Sequence, residues 1–308
     1  MKTTPMTRRD ALRAAAAFGA TAALAEVASA GQSAIAPQVA RPQSATTLMK
    51  TIPRWFWEPQ DLAMIRSLGL ARDASVLDAG CGKGNHVQLF AERCREGRVA
   101  ALDINPRAIH AVKARFAASD LKDIVTTYEA NVLRTPFEAG TFDLAWSSHT
   151  MHILADPVAG VRELARVVKP GGRVAIREDA YSVRFLPLDI GIGEPGIESR
   201  IHAASTKWLA ADRLKRGRVP FGWPRVLKNA GLREIKAASF TFQLSPPLLP
   251  MQTEYLRKYL RRMADLEHLD ASDKATLLQI TEPGAPDDAL ARDDLHFTDI
   301  ATIFVGEA

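Results

Sequence analysis

The chain has 308 residues, 47% hydrophobic and 24% charged, with 19 Gly and 18 Pro, an ordinary globular composition that excludes collagen, coiled coil and wholesale disorder. The formal charge is +5, but beyond residue 30 there are 36 Lys+Arg against 33 Asp+Glu, a balance that marks no nucleic-acid partner. The most apolar stretch, Ala14–Ala25, is mostly alanine and ends at Glu26, short of the ~20 residues that cross a bilayer.

Residues 1–30 read as an address. Thr7-Arg8-Arg9-Asp10-Ala11-Leu12-Arg13, an Ala-rich stretch and then Ala28-Ser29-Ala30 resemble a twin-arginine export signal with a small-x-small cleavage site. Residues 31–50, rich in Ala, Gln, Pro and Ser, read as a flexible linker. The folded domain is expected over 51–308. Short apolar runs there alternate with helical-period stretches: strand Ser75–Ala79, helix Gly84–Arg95, strand Arg98–Asp103, helix Pro106–Ala118, strands Ile124–Glu129 and Phe142–Ser147, helix Pro157–Val168 and strand Arg173–Glu178. The last third holds helical segments at Glu198–Lys215, Pro224–Ala230 and Thr253–Glu267, with strands at Ile235–Leu244 and Thr298–Val305. This pattern predicts an α/β fold: a Rossmann-like, doubly wound, seven-stranded sheet, mostly parallel with an antiparallel edge strand, and a helical insertion in the C-terminal third.

Val76-Leu77-Asp78-Ala79-Gly80-Cys81-Gly82-Lys83-Gly84 puts glycines at alternate positions of a strand-to-helix turn, where backbone passes close to a ligand and φ turns positive. A dinucleotide fingerprint needs a third glycine where Asn85 stands, which counts against NAD and FAD. Asp78 would repel a pyrophosphate but suits an ammonium or sulfonium. Cys81 and Cys94 lack any metal-ligand spacing, so neither a disulfide framework nor a metal site is expected.

The string Val76–Gly84 resembles motif I of the class I S-adenosylmethionine-dependent methyltransferases, and the similarity continues in order over 73–180. Ala101-Leu102-Asp103-Ile104 resembles the acidic strand end that holds both ribose hydroxyls; Asn131 and Val132 resemble the adenine-reading segment, where the family more often has Asp. Thr141–Ser147, followed by His149 and His152, is similar to the fourth strand and its active-site loop, and Arg166–Gly172 to the turn before the fifth strand. The resemblance implies S-adenosyl-L-methionine as cofactor, bound by Asp78, Gly80, Cys81, Gly82, Gly84, Asp103, Ile104, Asn131, Val132 and Ser147. It divides the domain into a cofactor-binding core (73–180), substrate-side helices with a late strand (181–294) and a last strand (295–308).

Methyl transfer is an in-line displacement for which positioning is the main requirement. A base is needed only for a hydroxyl or an acidic carbon, and His149 and His152 are the candidates. Glu178 and Asp179 stand where such sheets place ligand-facing side chains, though carboxylates after strands are commonplace. There is no Asn/Asp-Pro-Pro-aromatic box after the fourth strand, which counts against a nucleic-acid or protein-glutamine acceptor; the resemblance to the small-molecule branch that includes quinone-biosynthesis methyltransferases implies a small, partly apolar acceptor such as a quinone or phenol, O- or C-methylated. Trp55, Phe56, Trp57, Phe185, Leu186, Trp208, Phe221 and Trp223 either close over it or fill the helical layer. Arg213–Arg218 reads as the solvated, basic end of a helix. Two other readings stay open: a degenerate, non-catalytic protein of the same fold that binds the cofactor, and a nucleotide-dependent oxidoreductase. Residues 1–30 point outward to the periplasm or beyond, whereas the implied cofactor belongs to the cytoplasm.

Overall fold

Alternation of short apolar runs with amphipathic stretches is realised as strands joined by crossover helices. The computed structural model describes residues 56–178 and 183–308; the export signal and linker read over 1–50, Trp55 and Asp179 lie outside the described residues. In chain order come α1 (Glu58–Ser67), β1 (Ser75–Ala79), α2 (Asn85–Arg93), β2 (Arg98–Asp103), α3 (Pro106–Phe116), β3 (Val125–Glu129), β4 (Phe142–Ser148), a 3₁₀ turn (Met151–Ile153), α4 (Pro157–Val167) and β5 (Val168–Arg177). There follow α5 (Ile197–Arg216), α6 (Trp223–Asn229), β6 (Arg233–Leu244), α7 (Pro250–Met263), α8 (Ala271–Gln279), a second 3₁₀ turn (Ala289–Ala291) and β7 (Phe297–Glu307).

The seven strands form one sheet in the order β3-β2-β1-β4-β5-β7-β6. The first five are mutually parallel, and β7 runs antiparallel between β5 and β6. This is the Rossmann-like α/β sheet expected: β7 alone runs opposite to the other strands, next to the edge, and β6 forms the edge itself. The chain builds β2 and β3 on one side of β1 and then crosses to β4 on the other, so the carboxyl ends of β1 and β4 part into a crevice, the usual ligand position in such sheets.

Strand residues alternate between two cores. Val76, Val99, Ala101, Leu144 and Trp146 meet Met64 and Ile65 of α1, Val87 and Phe90 of α2, and Val112 and Phe116 of α3. Leu77, Ala79, Leu102, Val174 and Ile176 meet Val161 and Leu164 of α4 and Val226 and Leu227 of α6. The crossover helices start where short polar side chains cap them: Asn105 accepts from the Arg107 amide ahead of α3, and Asp156 from the Ala159 amide ahead of α4, each followed by a proline in the first turn. A third core joins Phe56, Phe185, Ile197, Ile201, Leu256, Leu260, Leu277 and Phe297.

Four expectations change in detail. α1 and α8 were not anticipated. Lys169–Gly172 is no turn ahead of β5: Val168 already pairs with Phe142, and the residues loop out before pairing resumes at Arg173 with Leu144. The basic run is not a free helix end, because Arg213 donates to the carbonyls of His152 and Leu154 at 2.9 Å each, and Arg216 to that of Ile153 at 3.0 Å. Most of the aromatic set fills core: Phe56, Phe185 and Leu186 are buried, Trp57 donates to the Tyr255 hydroxyl at 3.0 Å, and only Trp208 and Phe221 of the described members are exposed. Among the described residues no helix is long and apolar enough to cross a membrane.

Candidate active site at the β1–β4 switch point

Gly80, Gly82 and Gly84 all have positive φ, at 81°, 52° and 79°, so the loop follows a path that side chains resist. At Gly80 there is a second reason: a Cβ would collide with the side chain of Thr150, from the loop after β4. The amides of Gly80 and Cys81 donate to the Leu102 carbonyl at 2.7 and 3.0 Å, which seats the loop on β2. Asp103, at the end of β2, completes the cradle. Its Oδ2 accepts from the Gly82 amide at 2.9 Å and its Oδ1 from the Asn105 amide at 2.8 Å. Each oxygen has a second lone pair, so the carboxylate is aimed and still open to a pair of hydroxyls.

Asp78 lies beneath this loop, 1% exposed, and neither of its oxygens has a hydrogen-bond partner among the described residues. Burial lifts its pKa from 3.8 to about 6, opposed by the nearby His86 and reinforced by Asp103. A buried carboxylate under a close-approach glycine loop, offset only in part by His86, suits a ligand with a positive charge. Because the folded value lies above the unfolded one, ionising Asp78 costs stability, and the cost grows as pH rises from about 4 through about 6 and persists above. The Asp78→Asn variant should therefore remove about 2 kcal/mol from the difference in unfolding free energy between pH 4 and pH 8. Urea denaturation at both pH values checks this; an unchanged pH slope would show that the group is ionised at no cost.

β4 and β5 are adjacent and parallel, with Ser148 opposite Arg177, so the residues just past their ends meet. His149 continues the ladder, its amide donating to the Arg177 carbonyl at 3.0 Å, in a left-handed conformation with φ 51°. Glu178 is buried, and its Oε1 gathers the amides of Thr150, Met151 and His152 at 3.1, 2.7 and 3.3 Å. Its Oε2 lies 2.8 Å from Nδ1 of His152. The carboxylate thus organises the 3₁₀ turn and orients the imidazole. Arg213 and Arg216 hold the far side of the same turn from α5.

The remaining expected residues divide. Ile104 is 66% exposed beside Asp103, an apolar face open to a flat ring. Val132 is buried, and the exposed Asn131 accepts through Oδ1 from the Leu133 amide at 2.9 Å, which shapes the turn. Ser147 is fully buried and donates to the Ala79 carbonyl at 2.9 Å; it ties β4 to β1 instead of lining the crevice. Cys81 is buried, with its thiol pKa raised by burial and by Asp78 and Asp103, so it contributes backbone and no thiolate chemistry. Sequence reasoning left Glu178 unassigned and missed Ser148, whose buried hydroxyl has no hydrogen-bond partner among the described residues, and the Arg213 clamp. The position of Glu178 directly after a central strand was the one available signal. His149, His152 and Glu178 bring donor atoms within 4.8 Å of one another, a grouping assembled from two strands that cysteine spacing could not reveal.

A glycine loop on β1, an acidic β2 end and a histidine loop after β4 all open on one switch point, where sheets of this class take their ligands. Residues 77–176, about a third of the chain, match the family model described as "Methyltransferase domain". The chain is 32% identical over 151 residues to malonyl-[acyl-carrier protein] O-methyltransferase of Pseudescherichia vulneris, covering 49% of this chain and 55% of the relative. It is 30% identical over 118 residues to demethylmenaquinone methyltransferase of Symbiobacterium thermophilum, covering 38% and 47%. A solved structure of a putative methyltransferase from Bacillus halodurans overlays with TM-score 0.48 at 17% identity, over 80% of this chain and 98% of that one. The chain spans about half the length of the curated relatives it matches.

Proposed function

We propose that this protein transfers a methyl group from S-adenosylmethionine to an oxygen or acidic carbon of a small, partly apolar acceptor such as a phenol or quinone. The observation that carries the reading is Asp103, aimed by two backbone amides at the crevice beside the exposed ring-sized face of Ile104. The name of the demethylmenaquinone relative supports the acceptor class. We further propose 51–308 as the methyltransferase domain, with the linker over 31–50 and an export signal over 1–30.

When bound, S-adenosylmethionine supplies a methyl group already activated by its sulfonium. The protein's part is to hold and align. Asp103 binds the two ribose hydroxyls with charge-assisted hydrogen bonds, Ile104 and Val132 flank the adenine, Asn131 reads its edge, and the Gly80–Gly84 backbone over Asp78 takes the charged amino-acid end. His152, with Nδ1 bound to Glu178, keeps Nε2 for the proton of the acceptor hydroxyl or carbon acid. Glu178 is a positioning residue that selects this orientation.

The test is product formation by the full chain against a panel of phenols and quinols, beside His152→Ala. Expected are methylated product, a kcat about 100-fold lower in the variant and unchanged S-adenosylmethionine affinity. Cofactor binding without product from any acceptor would favour the degenerate reading, and binding of NAD(H) in its place would revive the oxidoreductase.

A further inference from the structure

We propose that His149, His152 and Glu178 form a binding site for one divalent transition-metal ion of the zinc type, whose open coordination position receives an oxygen of the methyl acceptor. The three residues come from two loops, after β4 and after β5, and their donor atoms all lie within 4.8 Å of one another. Ligands about 2.1 Å from one ion and at tetrahedral or right angles to each other are about 3.0–3.4 Å apart. The 2.8 Å between His152 Nδ1 and Glu178 Oε2 is close to that spacing, so a small movement admits an ion between the two atoms that now form a hydrogen bond.

Three features make this a built arrangement and not a chance encounter of polar side chains. Glu178 has a side chain only 2% exposed, and three backbone amides on Oε1 leave Oε2 as the oxygen directed at the histidines. His149 adopts a left-handed backbone, φ 51°, a conformation that costs a residue with a Cβ and that turns its ring to within 6.3 Å of the His152 ring, at 79°. Arg213 and Arg216 fasten the turn bearing His152 from a separate helix, so the ligand positions are held from both sides.

The donor set names the ion. Two imidazole nitrogens and one carboxylate oxygen suit Zn²⁺, Co²⁺ or Fe²⁺, and are a poor match for Ca²⁺ or Mg²⁺, which prefer oxygen. Three protein ligands leave coordination positions open, as in catalytic rather than structural sites. The group stands beside the glycine loop, because Thr150, between the two histidines in the chain, packs on Gly80. The part of the inference concerning the acceptor rests on the proposed methyl transfer; the metal site itself does not. An ion there would hold an acceptor hydroxyl and favour its deprotonated form, taking over the proton-accepting part otherwise given to the Nε2 of His152.

The experiment titrates the full chain, stripped with chelator and free of any histidine tag, with Zn²⁺ by calorimetry and with Co²⁺ by visible absorption. Expected are one site per chain, d–d bands of a low-coordinate cobalt centre, and a loss of affinity of about 100-fold in His149→Ala, with the fold of the variant checked by its thermal midpoint. His110→Ala, an exposed histidine on α3, should bind like the wild type. Glu178→Gln, which preserves the amide contacts of Oε1, should lose the same affinity as His149→Ala. Equal binding by wild type and His149→Ala, or no binding, overturns the metal site. S-adenosylmethionine titrated into the metal-free chain is a separate arm: if the metal binds and the cofactor does not, the methyl-transfer reading fails alone, and the converse removes the metal and leaves the His152–Glu178 pair in its proton-accepting role.

Discussion

Replacing Asp103 with alanine is expected to weaken S-adenosylmethionine binding by at least about 100-fold. Hydrogen bonds to a charged group each contribute about 1.5–3 kcal/mol, and the two ribose hydroxyls would lose both at once. The same change frees the Gly82 and Asn105 amides, which the carboxylate holds at 2.9 and 2.8 Å, so the glycine loop loosens as well. The loss therefore exceeds what the ribose contacts alone would produce. Asp103→Asn separates the two contributions, because its amide retains one acceptor oxygen for a backbone N–H and forfeits the charge. Calorimetric titration of the full chain and both variants measures this. An affinity within about threefold of wild type for the alanine variant would remove Asp103 from the cofactor site.

The second large effect is on stability. Arg177, the last residue of β5, donates to Asp61 of α1 at 2.7 Å, with the two side chains 8% and 3% exposed. His86 Nε2 lies 3.5 Å from the other Asp61 oxygen, and Gln60 bonds Asp299 at 3.2 Å and the Phe240 carbonyl at 2.9 Å. Removing one member of a buried ion pair strands the other charge at about 3–5 kcal/mol. Asp61→Ala is accordingly expected to lower stability by about 3 kcal/mol or more, a fall in midpoint temperature of roughly 6–12 °C for a domain of this size. Because buried pairs are replaceable by apolar ones at little cost, Asp61→Leu combined with Arg177→Met should recover part of the loss. Thermal unfolding of the three proteins reads the difference, and an Asp61→Ala protein as stable as wild type would mean that water reaches the pair.

That same network explains why α1 escaped the sequence. The buried side of α1 carries Glu58, Gln60 and Asp61 alongside Met64 and Ile65, so no apolar stripe marks it. α8 is similar, burying Asp273 and Thr276 beside Leu277; Asp273 is held by Arg200 at 2.7 Å. Elements whose inner face is apolar were legible to within a few residues, as for β1, β2, α3 and α4, because period alone decides them. The cofactor cradle was legible for a related reason: it lies on contiguous loops where glycine and aspartate have local conformational roles. The histidine turn was legible only by half. Its histidines are close together in the chain, but Glu178 lies 26 residues beyond His152 and the Arg213 clamp is 61 residues away. Only the pairing of β4 with β5 and the docking of α5 bring them together.

The fastening of α5 to the histidine turn has a consequence for how the enzyme could acquire new acceptors. Arg213 and Arg216 grip backbone carbonyls of residues 152–154, a bond that does not depend on which side chains those residues carry. Trp208 and Leu214 on the same helix are exposed. A change that shifts α5 to fit a larger or differently shaped molecule therefore drags the His152 imidazole with it, and under the proposed function selectivity and reactivity would be inherited together. Drift in the outer surface of α5 is free, whereas drift in its placement is filtered by chemistry several residues away.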